Sequence, residues 1–185
     1  MVLVGAVWEL GSGWYIYAKA EIGQWLIARA WELSLERQEP VKPWSWADTH
    51  PVGRLRVPGL GIDQYVLAGA TGRTMAFGPG HHDESVYPGE PGDSVLLGHR
   101  DTHFAFLGKL EPGDGLQFQD ETGTWHAFEV ETAVIMNDQE EKLLLGGEKP
   151  RVFLVTCYPF HAIVPGGPLR YVVEAKERKS DRIKE

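Results

Sequence analysis

The chain has 185 residues, of which 43% are hydrophobic, with 18 Lys and Arg against 26 Asp and Glu for a net charge of −8. That length and apolar content suit one folded domain with an extension and exclude a disordered chain. The acidic balance argues against nucleic acid as the main partner, because phosphate binding needs a basic surface. A single cysteine, Cys157, excludes an internal disulfide.

Residues 2–18, "VLVGAVWELGSGWYIYA", are apolar or Gly-rich apart from Glu9. They are near the short limit for a spanning helix, and an acid within the span costs about 2–3 kcal/mol. Six of seven tryptophans lie in the first 46 residues, a distribution suited to a membrane–water interface. A basic start and a clear cleavage site are missing, so residues 1–19 read as a membrane anchor or interfacial segment rather than a signal peptide. An amphipathic helix lying on the membrane or on the domain is the competing reading.

Residues 20–38 show helical periodicity, with Ile22, Trp25, Leu26, Ala30 and Leu33 on one face. Pro40 and Pro43 end the helix, and a linker follows to residue 52. From Gly53 the texture changes to short strand-like runs: "GRLRV" and "IDQYVLA" around a Pro-Gly turn, "DSVLLGH", "GLQFQD", "TWHAFEVETAVIM", "RVFLVTC" and "LRYVVEA". "QEEKLLL" predicts a short helix. Many short strands with 22 Gly and 12 Pro around them predict a mainly β domain over 53–176: a closed barrel or sandwich with short helices. Residues 177–185 form a charged tail.

Cys157 closes a strand and precedes "YPFHAIVPGGP", whose prolines cannot continue it. A thiol at a strand end can face a cleft, although a lone cysteine is more often a small buried hydrophobe. A cysteine nucleophile needs a base or acid nearby. His99 follows Gly98 at the end of "SVLLGH" and is placed for that role, with His103 as its rival. Arg170 stands 13 residues after Cys157 on the next strand, and its guanidinium can hold a developing oxyanion. Each of these has a plain alternative as a loop histidine or an ion-paired strand arginine. The His81–His82 pair lacks a third ligand at metal spacing and reads as a solvated loop. The acidic "NDQEE" at 137–141 reads as a helix N-terminus rather than a calcium site.

Taken together, "FLVTC", "GHRDTHFAFLGKLEPGD", "GGPLRYVVEA" and the approach "GPGHHDESVYPGEPGDSVLLGH" resemble the sortase family over residues 53–175. Phe153 departs from the Thr that many sortases carry there. The wording of "GHRDTHF" and "TCYPF" is most similar to the proteobacterial sortases of Gram-negative organisms. The resemblance implies a sortase-like β-barrel of about eight strands behind an N-terminal helix. It implies Cys157 as nucleophile, His99 as the catalytic histidine and Arg170 as the catalytic arginine, with Thr156 lining the substrate groove. His161, Asp101 and His103 are expected around the cleft. The implied reaction is cleavage of an LPxTG-like sorting signal through a thioacyl-enzyme and transfer to an amine, with no metal or cofactor. An inner-membrane anchor facing the periplasm goes with it. The competing functions are a cysteine hydrolase with water as acceptor and a non-catalytic, membrane-anchored β-barrel binding module. The Ser-His-Gly-Cys pattern of L,D-transpeptidases is absent, since Val155 and Thr156 precede Cys157.

Overall fold

The computed structural model describes residues 2–162 and 166–178, with side chains from residue 20 onward. Its eight strands are β1 (Pro51–Val57), β2 (Ile62–Ala68), β3 (Gly80–His81), β4 (Asp93–Leu97), β5 (Gly115–Gln119), β6 (Trp125–Asn137), β7 (Arg151–Cys157) and β8 (Leu169–Glu177). They close into a barrel in the order β1-β2-β3-β4-β7-β8-β6-β5, with β5 returning to β1. Closure shortens the free sheet edge to the parts of β2 and β4 that the two-residue β3 does not reach. The expected mainly β barrel is therefore present. The strand β3 has two residues and no signal in the sequence, yet it bridges β2 to β4.

Alternation along the strands sorts residues between two faces. Leu96, Leu154 and Val173 point into the barrel, where they join Leu55, Val66, Phe104, Phe118 and others in one buried cluster. On the outer face of the same strands, Val95, Phe153 and Val172 form a second, smaller cluster. Parallel pairing of β4 with β7 runs without a slip from Asp93↔Arg151 to Leu97↔Val155.

That first rung is an ion pair. Asp93, whose side chain is 1% exposed, accepts from Arg151 Nε at 2.7 Å and Nη2 at 2.9 Å. It also accepts from the backbone N–H groups of Gly146 and Gly147 at 2.7 and 2.9 Å. Arg151 Nη1 donates to Glu174 on β8 at 2.9 Å. Burial pushes the Asp93 carboxyl up, but Arg151 and the two glycine N–H groups outweigh it and hold the group below the ordinary carboxyl value.

Residues Val2–Arg37 form one continuous helix, α1, rather than two separate segments. Among the described residues, no helix is long and apolar enough to cross a membrane. The face of α1 that meets the barrel carries Gly23, Ile27, Ala30, Trp31 and Ser34. Ile22 and Trp25, placed on the packed face by periodicity, are 58% and 65% exposed. Trp31 is buried and its Nε1 donates to Gln119 of β5 at 3.4 Å. The helix stops where Gln38 takes a left-handed φ of 54° and the Ser34 hydroxyl accepts from Val41 N–H at 3.0 Å, reversing the chain. Thr49 then donates to the Ala68 carbonyl at 2.7 Å and fixes the linker to β2.

Two further expectations are corrected. "QEEKLLL" is not helical: after β6 the chain makes a turn on Asn137, whose side chain accepts from Gln139 N–H and whose carbonyl accepts from Glu140 and Glu141 N–H. The segment then runs irregularly to β7. His81, read as part of a solvated loop, is 3% exposed in β3 and stacks on Tyr87 at 4.4 Å. A short helix, α2 (Gly72–Met75), is capped by Thr71, whose hydroxyl accepts from Thr74 N–H. Of the tail, residues 179–185 lie outside the described residues, while Glu177 belongs to β8.

Asp93→Asn should destabilise the fold by about 2 kcal/mol near neutral pH, because the charge-assisted bonds of the buried carboxylate to Arg151 and the two glycine N–H groups are weakened or lost, leaving Arg151 with Glu174 alone. The Asp93 pKa is lowered by folding, so this stabilisation is complete above the ordinary carboxyl value of about 4 and is lost as pH falls through the lower folded value. Urea unfolding of both proteins from about pH 7 to about pH 3 should show the gap closing at the acid end.

Candidate active site

Cys157 is the last residue of β7 and half-buried. It shares the outer face with Phe153 and Val155. Across the antiparallel pair its register partner is Arg170 on β8. Pairing continues one step further, as Tyr158 N–H donates to the Leu169 carbonyl at 2.9 Å. The return of the chain across the loop after Cys157 therefore brings the guanidinium strand beside the thiol.

His99 reaches the same level from the other side. Beyond Leu97↔Val155 the parallel ladder gains one more bond, Gly98 N–H to the Val155 carbonyl at 3.2 Å. Continued in register, Gly98 stands opposite Thr156 and His99 opposite Cys157. Gly98 is required by space: a Cβ there would stand 2.7 Å from the ring of Phe104, a residue with no exposed surface. Past Gly98 the chain turns, with the His99 carbonyl accepting from Phe104 N–H at 3.0 Å. His99 itself is exposed.

Thr156 does not line the groove. Alternation turns it into the barrel, where it is 2% exposed and donates to the Gly98 carbonyl at 2.7 Å. Its contribution is to fasten the histidine segment to the cysteine strand. Arg100, which the sequence reading passed over, does the same one step further out. It is 9% exposed, and its Nη2 donates to the Ala162 carbonyl at 2.9 Å, tying the His99 turn to the loop after Cys157. Its Nε donates to Asp101 at 3.2 Å. Asp101 is 75% exposed at its side chain and so stands on the rim. His161 is exposed in the turn after Cys157. His103, the rival histidine, is half-buried and engaged by the Ala76 backbone. Burial, opposed by that hydrogen bond and aided by nearby His99, lowers its pKa.

The guanidinium of Arg170 is held from two sides. Nη1 donates to the carbonyls of Gly167 and Leu169 at 2.7 and 2.9 Å, and Nη2 faces the Asp138 carboxylate at 2.6 Å. Below it, a groove of about 300 Å³ runs down the outer face. Its floor is Val95, Leu97, Val155 and Val172, and its wall includes Met136, Leu143 and Leu145 from the end of β6 and the loop beyond. His82, Asp138 and Glu141 supply its polar margin. Of the three site residues Arg170 lines this groove, and Cys157 lies two residues beyond its floor residue Val155 on the same strand face. An apolar trough of this kind suits an extended peptide with an apolar anchor.

A closed eight-strand barrel with a cysteine, an arginine and a histidine at neighbouring strand ends defines the class, and comparison with known proteins identifies the family. A family profile described as the sortase domain matches residues 55–178. The chain is 36% identical over 124 residues to sortase D of Bacillus subtilis, a match covering 67% of this chain and 62% of that protein, so it spans under two thirds of the relative's length. Among solved structures, sortase A from Corynebacterium diphtheriae superposes with a TM-score of 0.65 at 23% identity, covering 75% of this chain and 66% of that one. Sortase C-1 from Actinomyces oris gives 0.63 at 26% identity, covering 72% and 77%. A Clostridium perfringens sortase D5 transpeptidase gives 0.62 at 21%, covering 80% and 88%.

The chain belongs to the sortase family, whose members are in general cysteine transpeptidases. The expected proteobacterial subtype finds no support in these relatives, which come from Gram-positive bacteria.

Thr156→Val should cost about 1–3 kcal/mol by leaving the buried Gly98 carbonyl without its partner. Thr156→Ser, which keeps the hydroxyl, should recover most of it. Thermal unfolding of the two variants separates this structural tie from a groove-lining role, which would leave the midpoint unchanged.

Proposed function

We propose that this protein is a sortase-type transpeptidase in which Cys157, His99 and Arg170 act together on an LPxTG-like sorting signal. The observation that carries the reading is the register that brings three residues distant in the chain to one level beside an apolar groove: Cys157 and Arg170 as register partners, and His99 on the neighbouring parallel segment. The signal's apolar residues would lie on Val95, Leu97, Val155 and Val172, with the Thr–Gly peptide at the thiol.

The Cys157 thiolate attacks the Thr carbonyl carbon, and the oxygen takes the negative charge. Arg170 donates to that oxyanion. As the C–N bond breaks, His99 gives a proton to the leaving glycine amine, and the acyl group remains as a thioester on Cys157. An incoming amine attacks the thioester carbonyl, loses its proton to His99, and Cys157 departs as thiolate. These steps use only groups of this chain and its two substrates. A hydrolase follows the same course with water in place of the amine, whereas a silent binding module needs none of it.

The membrane and periplasm readings rest on the apolar residues 2–18 and on the wording of "GHRDTHF" and "TCYPF", and they belong to this proposal. Exposed Trp25 and Trp46, at 65% and 83%, suit an interface near the helix.

Mass spectrometry of the protein with a panel of LPxTG-like peptides should show a thioacyl adduct on Cys157, released faster when an amine is added. Cys157→Ala should form none. His99→Ala and Arg170→Ala should each lower adduct formation by about 100-fold or more. Release at the same rate with and without amine, giving only free acid, would select the hydrolase. Absence of any adduct from a thiol that still reacts with small reagents would reject the sorting-signal assignment.

A further inference from the structure

We infer that Asp138 is a positioning residue for the reaction: it holds the Arg170 guanidinium at the thiol end of the groove. The inference rests on the proposed role of Arg170 and goes beyond it by assigning what keeps that flexible side chain in place.

Asp138 is fixed before it meets the arginine. Its own N–H donates to the Pro168 carbonyl at 3.0 Å, continuing the β6–β8 ladder one step past Asn137↔Leu169. The residues after it are gathered on Asn137, which accepts from Gln139, Glu140 and Glu141. The carboxylate thus leaves a braced turn and meets Nη2 at 2.6 Å. Met136, two residues earlier, is the β6 register partner of Arg170, so the pair closes across one strand boundary.

An arginine side chain has several rotatable bonds, and a half-exposed one samples many rotamers unless tied. Nη1 is spent on the carbonyls of Gly167 and Leu169, which belong to the loop and strand start on the arginine's own side. Asp138 supplies the restraint from the opposite strand. A guanidinium has five N–H donors in a fixed plane. With Nη1 on the carbonyls and Nη2 in ionic contact with the carboxylate, the guanidinium plane is held at two corners and keeps a set direction for an oxyanion. Pre-set donors stabilise developing charge without reorganising at the moment of reaction. A carboxylate this close also lowers the net positive charge of the group, so the device trades some field strength for direction.

The test uses the full chain with an acylating peptide and an amine. Asp138→Ala should lower kcat about tenfold while KM stays within about twofold, the signature of an interaction used in the transition state. Asp138→Asn, which keeps an acceptor oxygen, should recover part of that loss. In an Arg170→Ala background, Asp138→Ala should cost less than about twofold more, because its effect passes through the arginine. A second readout needs no turnover. The Nε–H signal of Arg170 in ¹⁵N NMR, assigned by its disappearance in Arg170→Lys, should be ordered in the wild type and lose order in Asp138→Ala. Faster turnover in Asp138→Ala, an equal cost with and without Arg170, or an unchanged Nε–H order would each overturn the inference. A wild type that fails to acylate overturns the sortase reading alone, and the Arg170 signal still decides whether Asp138 orders the guanidinium.

Discussion

The parallel pairing of β4 with β7 is the constraint on which the site depends. Cys157 and His99 are 58 residues apart in sequence, and no local structure brings them together. They come to the same level because Asp93 stands opposite Arg151 and the ladder runs from there without a bulge. A slip of one residue would turn every side chain of one strand to the other face, putting Thr156 where Cys157 belongs. Parallel strands have no hairpin to set their register. Here it is set by chemistry at both ends: the Asp93–Arg151 pair at the start, and the Thr156 hydroxyl on the Gly98 carbonyl at the finish.

The same aspartate also shapes the groove. By accepting from Gly146 and Gly147 it pins the end of the loop that carries Leu143 and Leu145 over the outer face. The other end of that loop is held at Asn137 and Asp138 against β8. Burying a carboxylate is costly unless its lone pairs are filled, and Asp93 has four donors. An apolar residue at position 93 could pack on Phe153, but it could neither choose the register nor hold the loop. The ion pair therefore contributes specificity of arrangement more than net stability.

Much of this was legible in the sequence where a rule of period or chemistry had no competitor. The long strands announced themselves by alternation and flanking turns, and the Gly-His and Thr-Cys strand ends marked the site. Failures came where tertiary contacts overrode a local pattern. "QEEKLLL" has helical propensity, but its leucines are recruited to the groove and the glycines after it to Asp93, which fixes an irregular path. Ile22 and Trp25 fit a helical stripe, yet the barrel meets α1 along Gly23, Ile27, Ala30 and Ser34, where small residues permit close approach. Thr156, expected in the groove as the neighbour of the thiol, is sent inward by strand alternation alone. Arg100 carried no sequence signal, and Asp138 stood out only as part of the acidic 137–141 stretch: their importance is a matter of which carbonyl or guanidinium lies across the fold.

The three site residues are not held by equal means. Cys157 and Arg170 sit on paired strands, and their separation is set by backbone hydrogen bonds on both sides. His99 lies beyond the last bond of β4, on a turn. Its placement comes instead from the space that only glycine leaves beside Phe104, from the Thr156 hydroxyl, and from Arg100 reaching Ala162. Those contacts tie the histidine turn to the cysteine strand and to the loop that follows it, rather than to the barrel at large. A base or acid has to follow the thiol and its leaving group closely, whereas the oxyanion donor has to stay put. The proposed roles match these fastenings: the His99 turn is tied to the Cys157 segment, and Arg170 to the strands that frame it.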